Sequence, residues 1–356
     1  MAIKKNITIK TPKGKREIGP GRPVFIIAEM SGNHNQDINR AYKIIDATAA
    51  AGVDAVKSQT YTADTITIDS DNELFQIKNS KLWSGQTLHQ LYQTAYTPWD
   101  WQPKLKKYAE AKGLVFFSTP FDNTAVDFLE KMKVELYKVA SLEVVDIPLL
   151  KRIGRTKKPV IMSRGAATIN EIRLAVKTLK ANGTPQVAVL QCVAAYPAKP
   201  EDMNIKIIPD ISRRFRVISG LSDHSLSTNT VIAAVALGAS IIEKHVTLAR
   251  ADGGPDSAFS LEAGELKQLV KSVREIEQAL GEPKYGVGKS EAESAILRKS
   301  LFAVKDIKKG EKFTEDNVRS IRPGAGLEPK FYDKIMGKIA KLDIKRATPL
   351  SWNLIK

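Results

Sequence analysis

Two short strings in the middle of the chain, Ser222-Asp223-His224 and Glu243-Lys244-His245, each close an apolar run and together hold half of its four histidines. The runs, Phe215 to Leu221 and Ser240 to Ile242, read as β-strands, and the stretch between them, Thr228 to Ala239, reads as a buried helix. A strand-helix-strand unit lays its two strands side by side and parallel. The two imidazoles then emerge as neighbours, which points to a divalent metal site with His224 and His245 as ligands.

The same unit recurs along the chain. Apolar, β-branched runs lie at Val24 to Ala28, Ala55 to Val56, Leu114 to Phe117, Leu136 to Ala140, Val160 to Met162 and Val187 to Leu190, besides the two already named. Most are followed by a helical pattern. Eight strands alternating with helices predict a (β/α)8 TIM barrel, whose functional groups sit where each strand hands over to its loop. Those positions carry Glu29, Lys57 with Gln59, Ser118 with Thr119, Lys138 with Ser141 and Glu143, Ser163, Cys192, Ser222 with His224, and Glu243 with His245. An open doubly wound sheet would want a glycine-rich phosphate turn after its first strand, whereas Met30-Ser31-Gly32-Asn33-His34 follows Glu29.

Helix boundaries support the alternation. Thr168-Ile169-Asn170-Glu171 has the form of a capping box, and Gly183 closes the helix that it opens. Glu262 to Leu280, ended by Gly281, is the longest amphipathic run and reads as the last barrel helix. A barrel uses roughly 250 residues, so a 356-residue chain has room for a second module. We divide it into residues 1–281, a barrel with a short N-terminal extension; residues 282–294, a linker rich in glycine; and residues 295–356, a small domain. Strand-like pieces there are Ser300 to Val304, Ile339 to Leu342 and Ile355.

Composition narrows the partners. A single cysteine leaves no internal disulfide and fits a reducing cytoplasm, with Cys192 reading as a small buried apolar residue. Met1 to Asn6 has no signal-type apolar core, and no run approaches membrane-spanning length. The net charge of +16 is dispersed: residues 291 to 356 hold 15 basic and 9 acidic side chains, and no nucleic-acid motif accompanies them. Such a surface can draw in an anionic small substrate. His34 reads as a loop hydrogen-bonder and His89 as a helix-surface residue.

Several strings in order, Ile27-Ala28-Glu29-Met30-Ser31-Gly32-Asn33-His34-Asn35, Val56-Lys57-Ser58-Gln59-Thr60-Tyr61, Lys138-Val139-Ala140-Ser141-Leu142-Glu143, Leu221-Ser222-Asp223-His224-Ser225 and Glu243-Lys244-His245-Val246-Thr247, resemble the sialic acid synthase family. The resemblance runs from about Gly19 to the end of the chain. Val318 to Leu327 resembles that family's antifreeze-like (SAF) domain, which would serve as a lid over the sugar site. Leu82 to Leu88 and Ala95 to Trp101 look most like the pseudaminic acid branch, with the legionaminic and N-acetylneuraminic branches close to it. The resemblance implies condensation of phosphoenolpyruvate with 2,4-diacetamido-2,4,6-trideoxy-L-altrose, releasing phosphate.

By the same resemblance, Lys57, Lys138, Ser141, Ser163 and Ser222 would hold phosphoenolpyruvate. Glu143 is the first choice for proton transfer, with Glu29 and Glu243 as further acids, bases or charge stabilisers. Glu29 and Gln59 would position substrate, and Tyr196 and Asp256 would contact the sugar. Manganese is the expected metal and magnesium a substitute; imidazole ligands do not separate manganese from zinc or iron. A domain-swapped homodimer would bring Arg322 to the partner's barrel. The family usually has Ser-Thr-Gly after the fifth strand, where this chain has Ser163-Arg164-Gly165, and a polar residue where Val193-Ala194-Ala195 stands. Arg164 takes over the missing phosphate contact, faces solvent or marks a weakened enzyme. A metal-dependent barrel aldolase or hydrolase would explain the histidines but not the C-terminal module, and a glycan-binding protein would need only that module.

Overall fold

A computed structural model of the chain describes residues 6–78 and 82–356. Met1 to Lys5, part of the segment read above for a signal-type core, lies outside the described residues. Two strands, β1 (Ile7–Thr11) and β2 (Gly14–Ile18), pair antiparallel as a hairpin. Eight follow: β3 (Phe25–Glu29), β4 (Ala55–Thr60), β5 (Val115–Pro120), β6 (Tyr137–Val139), β7 (Val160–Ser163), β8 (Val187–Cys192), β9 (Ile218–Asp223) and β10 (Ile241–His245). They form a closed barrel, every neighbouring pair parallel, with β10 returning to β3 in the register His245 opposite Glu29.

The period of two along each strand explains both the core and the site. One parity faces the helices: Ile26 and Ala28, Val56, Phe116, Leu221 and Ile242 pack in the shell between sheet and helices. The other parity faces the barrel axis. Phe25 and Ile27, Ala55, Val115 and Phe117, Leu136, Ile161, Ala188 and Leu190, Ile218 and Ile241 make one buried apolar cluster. Continuing two residues at a time toward the carboxyl ends, the same inward parity becomes Glu29, Lys57, Thr119, Lys138, Ser163, Cys192, Ser222 and Glu243. Each strand is therefore greasy at the bottom and polar at the top. Gly220 is the inward exception; a Cβ there would stand 2.3 Å from the Ile241 carbonyl oxygen, so the Leu190 side chain and the β10 backbone occupy that space instead.

The hairpin is the barrel's floor. As sequence it reads only as an extension, yet Ile7, Ile9 and Ile18 belong to the same buried cluster as the inward residues of the strands. Lys10 N–H donates to Glu135 at 3.2 Å, and Arg16 pairs with Asp54 at 3.3 Å, both at the amino ends of barrel strands.

Helix ends follow their sequence signals. Thr168 Oγ1 accepts from Glu171 N–H at 3.3 Å while the Glu171 carboxylate accepts from Thr168 N–H at 2.7 Å, the reciprocal capping box. The last barrel helix runs Ala263–Leu280 and stops at Gly281. One strand boundary is corrected. Phe215 ends the helix Ile207–Phe215, because Ile207, Ile211 and Phe215 recur at helical spacing on its packed face. Arg216 then turns into the left-handed region at φ 54°, and the strand begins only at Ile218.

The chain divides into two compact units after Gly281. In the second, β11 (Ser300–Ala303) pairs antiparallel with β12 (Val318–Ile321) over a core that includes Leu301, Phe313, Ile335, Ile344 and Leu350. Ile339 to Leu342 and Ile355 make only isolated bridges, such as Ala340 with Ile355, rather than strands; the second strand is Val318–Ile321. Among the described residues no helix is long and apolar enough to cross a membrane.

Candidate active site

The polar tops of the strands open into a cavity of about 380 Å³. Lys57, Gln59, Lys138, Ser141, Glu143, Ser163, Tyr196, Ser222, His224, Glu243, His245 and Asp256 all line it. Of the residues given site roles from sequence, Glu29 and Arg322 do not; nor does Ser118 of the strand-end positions, whose hydroxyl meets Ser58 and Thr60 instead. Glu29 lies beneath the cavity, 1% exposed, in an ion pair with Lys57 and accepting from Gln59 Nε2 at 3.2 Å. Its side-chain partners, Lys57 and Gln59, line the cavity. Arg322 belongs to the second unit, one residue past the end of β12.

The two lysines share one carboxylate. Lys57 Nζ stands 3.9 Å from Glu243 Oε2 and Lys138 Nζ 3.8 Å from Glu243 Oε1, while Ser222 Oγ donates to Glu243 at 3.0 Å. Burial by itself would push Glu243 up; Lys138 and Lys57 outweigh it and hold the carboxyl below its ordinary range. Glu243 is therefore an anion in the site. Burial pulls the Lys138 ammonium below its usual value, and Glu243 offsets only part of that. Lys138 still donates to Ser163 Oγ at 2.7 Å and to the Val139 carbonyl at 3.0 Å. Lys57 also donates to Thr119 Oγ1 at 3.1 Å.

Glu143 is electrostatically different. It sits in the short 3-10 turn Leu142–Val145 after β6, and burial pushes its carboxyl up to about 7. A carboxylic acid poised near neutrality can give or take a proton in turnover. Beside it, Gly165 permits a close approach: a Cβ there would lie 2.7 Å from Ser141 Oγ.

The histidines meet as expected, their rings 5.2 Å apart in an edge-on arrangement. His224 Nδ1 lies 2.8 Å from the Val193 carbonyl oxygen; donating there fixes the tautomer and leaves Nε2 with its lone pair. The Tyr196 ring stacks on His224 at 4.5 Å, and Phe259 lies 5.0 Å from His245. Burial keeps His245 well below its ordinary pKa and so neutral, and its buried Nδ1 has no hydrogen-bond partner. Burial disfavours a charged His224, but Cys192 and the Val193 carbonyl outweigh it and hold its pKa above the ordinary value. A neutral His245 with an orphaned buried nitrogen, beside a second imidazole whose Nδ1 is held on a carbonyl, fits a divalent cation that would displace the His224 proton. Among the described residues no third His, Cys, Asp or Glu completes a ligand cluster with them, so further ligands would be oxygens of substrate or water.

Other expectations resolve plainly. Cys192 is buried, its Sγ 4.0 Å from His224 Nδ1. His34 is a buried loop residue bonded to Thr97 Oγ1 at 3.1 Å. His89 is corrected: it is 5% exposed, not a surface residue, because its helix Leu88–Ala95 packs on Ala63–Ile66, where Asp64 meets its Nε2 at 2.9 Å. Arg164 does not line the cavity; its Nε donates to Gln191 at 2.7 Å. The cavity also takes Tyr61, Trp83 and Tyr92, none singled out as a site residue. Trp83 and Tyr61 lie in the family-like strings and were detectable there, whereas Tyr92 comes from a helix face with no local signal. Trp83 Nε1 donates to the Pro255 carbonyl at 3.0 Å and its ring lies 5.8 Å from Tyr196.

A family model described as the NeuB family matches residues 44–285, more than half of the chain. The chain belongs to the NeuB family. A SAF domain model matches residues 298–356 of this NeuB-family chain. It is 43% identical to the pseudaminic acid synthase of Campylobacter jejuni, over 91% of this chain and 94% of that protein. With the pseudaminic acid synthase of Helicobacter pylori it shares 40% identity over 93% and 97% of the two chains. Its structure matches that of the Bacillus subtilis spore coat polysaccharide biosynthesis protein SpsE with a TM-score of 0.65 at 34% identity, covering 96% and 97%.

Proposed function

We propose that this NeuB-family enzyme is a pseudaminic acid synthase. It condenses phosphoenolpyruvate with 2,4-diacetamido-2,4,6-trideoxy-L-altrose and water, giving pseudaminic acid and phosphate. The observation that carries the reading is the convergence of Lys57 and Lys138 with His224 and His245 on one cavity, in a chain 43% identical to a pseudaminic acid synthase. A wall of Ile66, Trp83, Leu91 and Tyr92 suits a sugar with a deoxygenated carbon and two acetamido methyls better than one with a free glycerol tail.

The residues divide the work. Lys57 and Lys138, with Ser141, Ser163 and Ser222, bind the phosphate and carboxylate of phosphoenolpyruvate through charge-assisted hydrogen bonds. Gln59, Tyr196 and Asp256 orient the sugar. His224 and His245 would hold the divalent cation, manganese with magnesium as a substitute, which when bound supplies Lewis-acid polarisation of the aldehyde oxygen. The enol carbon then bonds to the aldehyde carbon, and protonated Glu143 gives the new alkoxide its proton. Anionic Glu243 faces the cationic C2 that this leaves. Water adds to C2 and returns one proton to the Glu143 carboxylate; the bond from C2 to the bridging oxygen then breaks, and phosphate departs with the second proton as C2 becomes the ketone.

Bond cleavage gives a direct test. Phosphoenolpyruvate labelled with ¹⁸O at the bridging position is expected to deliver that label to inorganic phosphate, read by mass spectrometry; label kept in the sugar acid rules the mechanism out. Incubating the protein with manganese, phosphoenolpyruvate and each candidate sugar tests the substrate. Turnover of the legionaminic acid precursor alone would replace this reading with its sister activity.

The same reading places the protein in the cytoplasm as a two-fold dimer in which each site takes His245 from one chain and Arg322 from the other. Co-refolding equal amounts of inactive His245→Ala and Arg322→Ala chains then yields about half heterodimers, each with one wild-type site, and recovers roughly a quarter of normal activity. Verified heterodimers with no activity would remove Arg322 from the partner's site.

A further inference from the structure

The alternation that turns Ser222, Glu243 and both histidines inward turns Asp223 and Lys244 outward, between barrel and helices. The two are register partners on β9 and β10, and their side chains are 0% exposed. Lys244 Nζ lies 3.2 Å from Asp223 Oδ2 and donates to the Ser225 carbonyl. Asp223 in turn accepts from Ser225 N–H at 2.8 Å and from the Thr230 hydroxyl at 2.8 Å. Thr230 belongs to the helix Asn229–Ala236. This one network therefore ties together both chain neighbours of His224, the helix that follows them and the strand residue next to His245.

A buried ion pair is a poor source of stability, because desolvation offsets its attraction and apolar replacements are often as stable. Fixed geometry is what it does provide. His224 has a carbonyl partner and a stacked ring, whereas His245 Nδ1 makes no hydrogen bond and has only the Asp256 carboxylate 3.8 Å away, so the backbone on either side sets much of where these rings stand. We propose that Asp223 and Lys244 are a positioning pair that holds the two histidines at the spacing a shared cation requires. The inference rests on the metal reading above.

Removing either charge alone strands the other in the core, so the test is the neutral double variant Asp223→Asn/Lys244→Met. Manganese affinity is read by titrating chelator-stripped protein and following free ion by electron paramagnetic resonance, beside thermal melting. The expected result is a Tm within about 5 °C of wild type and a manganese Kd weaker by about 10- to 100-fold, with kcat falling more than KM changes. A folded double variant with wild-type Kd overturns the proposal. Should that variant not fold, Thr230→Val decides: it keeps the ion pair but loses the helix-side bond, and is expected to weaken Kd about threefold. An unchanged Kd there overturns the proposal too. Failure of the metal reading looks different, since wild-type protein would then bind no manganese, or His224→Ala would bind it equally well.

Discussion

His224→Ala and His245→Ala each lower turnover at least ~100-fold, equivalent to roughly 2.7 kcal/mol of lost transition-state stabilisation. A chelator abolishes wild-type turnover and manganese restores it. Both effects come from one arrangement: two buried rings 5.2 Å apart, one keeping its Nδ1 on the Val193 carbonyl and the other with an unpartnered nitrogen. Initial rates of phosphate release, measured with and without added manganese, check this. Full activity in either variant would remove the metal assignment, and activity indifferent to chelation would remove the cation.

Glu143→Gln is expected to lower kcat roughly 100- to 10,000-fold, the range for loss of a positioned proton donor or acceptor. Its pH signature separates it from a mere structural change. With its carboxyl pushed up to about 7 by burial, Glu143 is protonated below neutrality. As the acid in the first step it makes kcat/KM fall as pH rises through about 7, and the glutamine variant loses that inflection. Stability falls over the same range. The folded state binds this proton more tightly than the unfolded chain does, so the wild type loses stability as pH rises from the ordinary carboxylate range through about 7. Glutamine mimics the protonated form, so the variant melts higher than wild type at pH 8 and the gap closes by pH 5. A variant with unchanged kcat and an intact inflection would move the proton transfer elsewhere.

Much of the barrel and its site was legible because the inward parity changes from apolar to polar on every strand, a pattern a sequence displays directly. Ile27 to Glu29, Leu136 to Lys138 and Ile241 to Glu243 each make that step within three residues. Partner choice was not legible. Glu29 and Glu243 look alike at strand tops, yet Lys57 holds Glu29 beneath the cavity while Glu243 lines it between two lysines. Helix faces were harder again. His89 and Tyr92 stand three residues apart on one helix, and which neighbour each meets depends on packing against Ala63–Ile66 and the cavity, contacts that no local pattern encodes. The second unit resisted reading because its pairings are mostly single bridges, too short to show a period.

The floor hairpin also bears on the timing of synthesis. Ile7, Ile9 and Ile18 belong to one buried cluster with residues of β3 but also of β9 and β10, the last strand ending at His245. At ~5–20 residues per second the ribosome needs roughly 10–45 s to make the intervening chain. A two-stranded ribbon is at best marginally stable alone. Until the barrel closes, those isoleucines lack part of their apolar cover, and the nascent chain exposes an apolar strand pair that a neighbouring chain can capture.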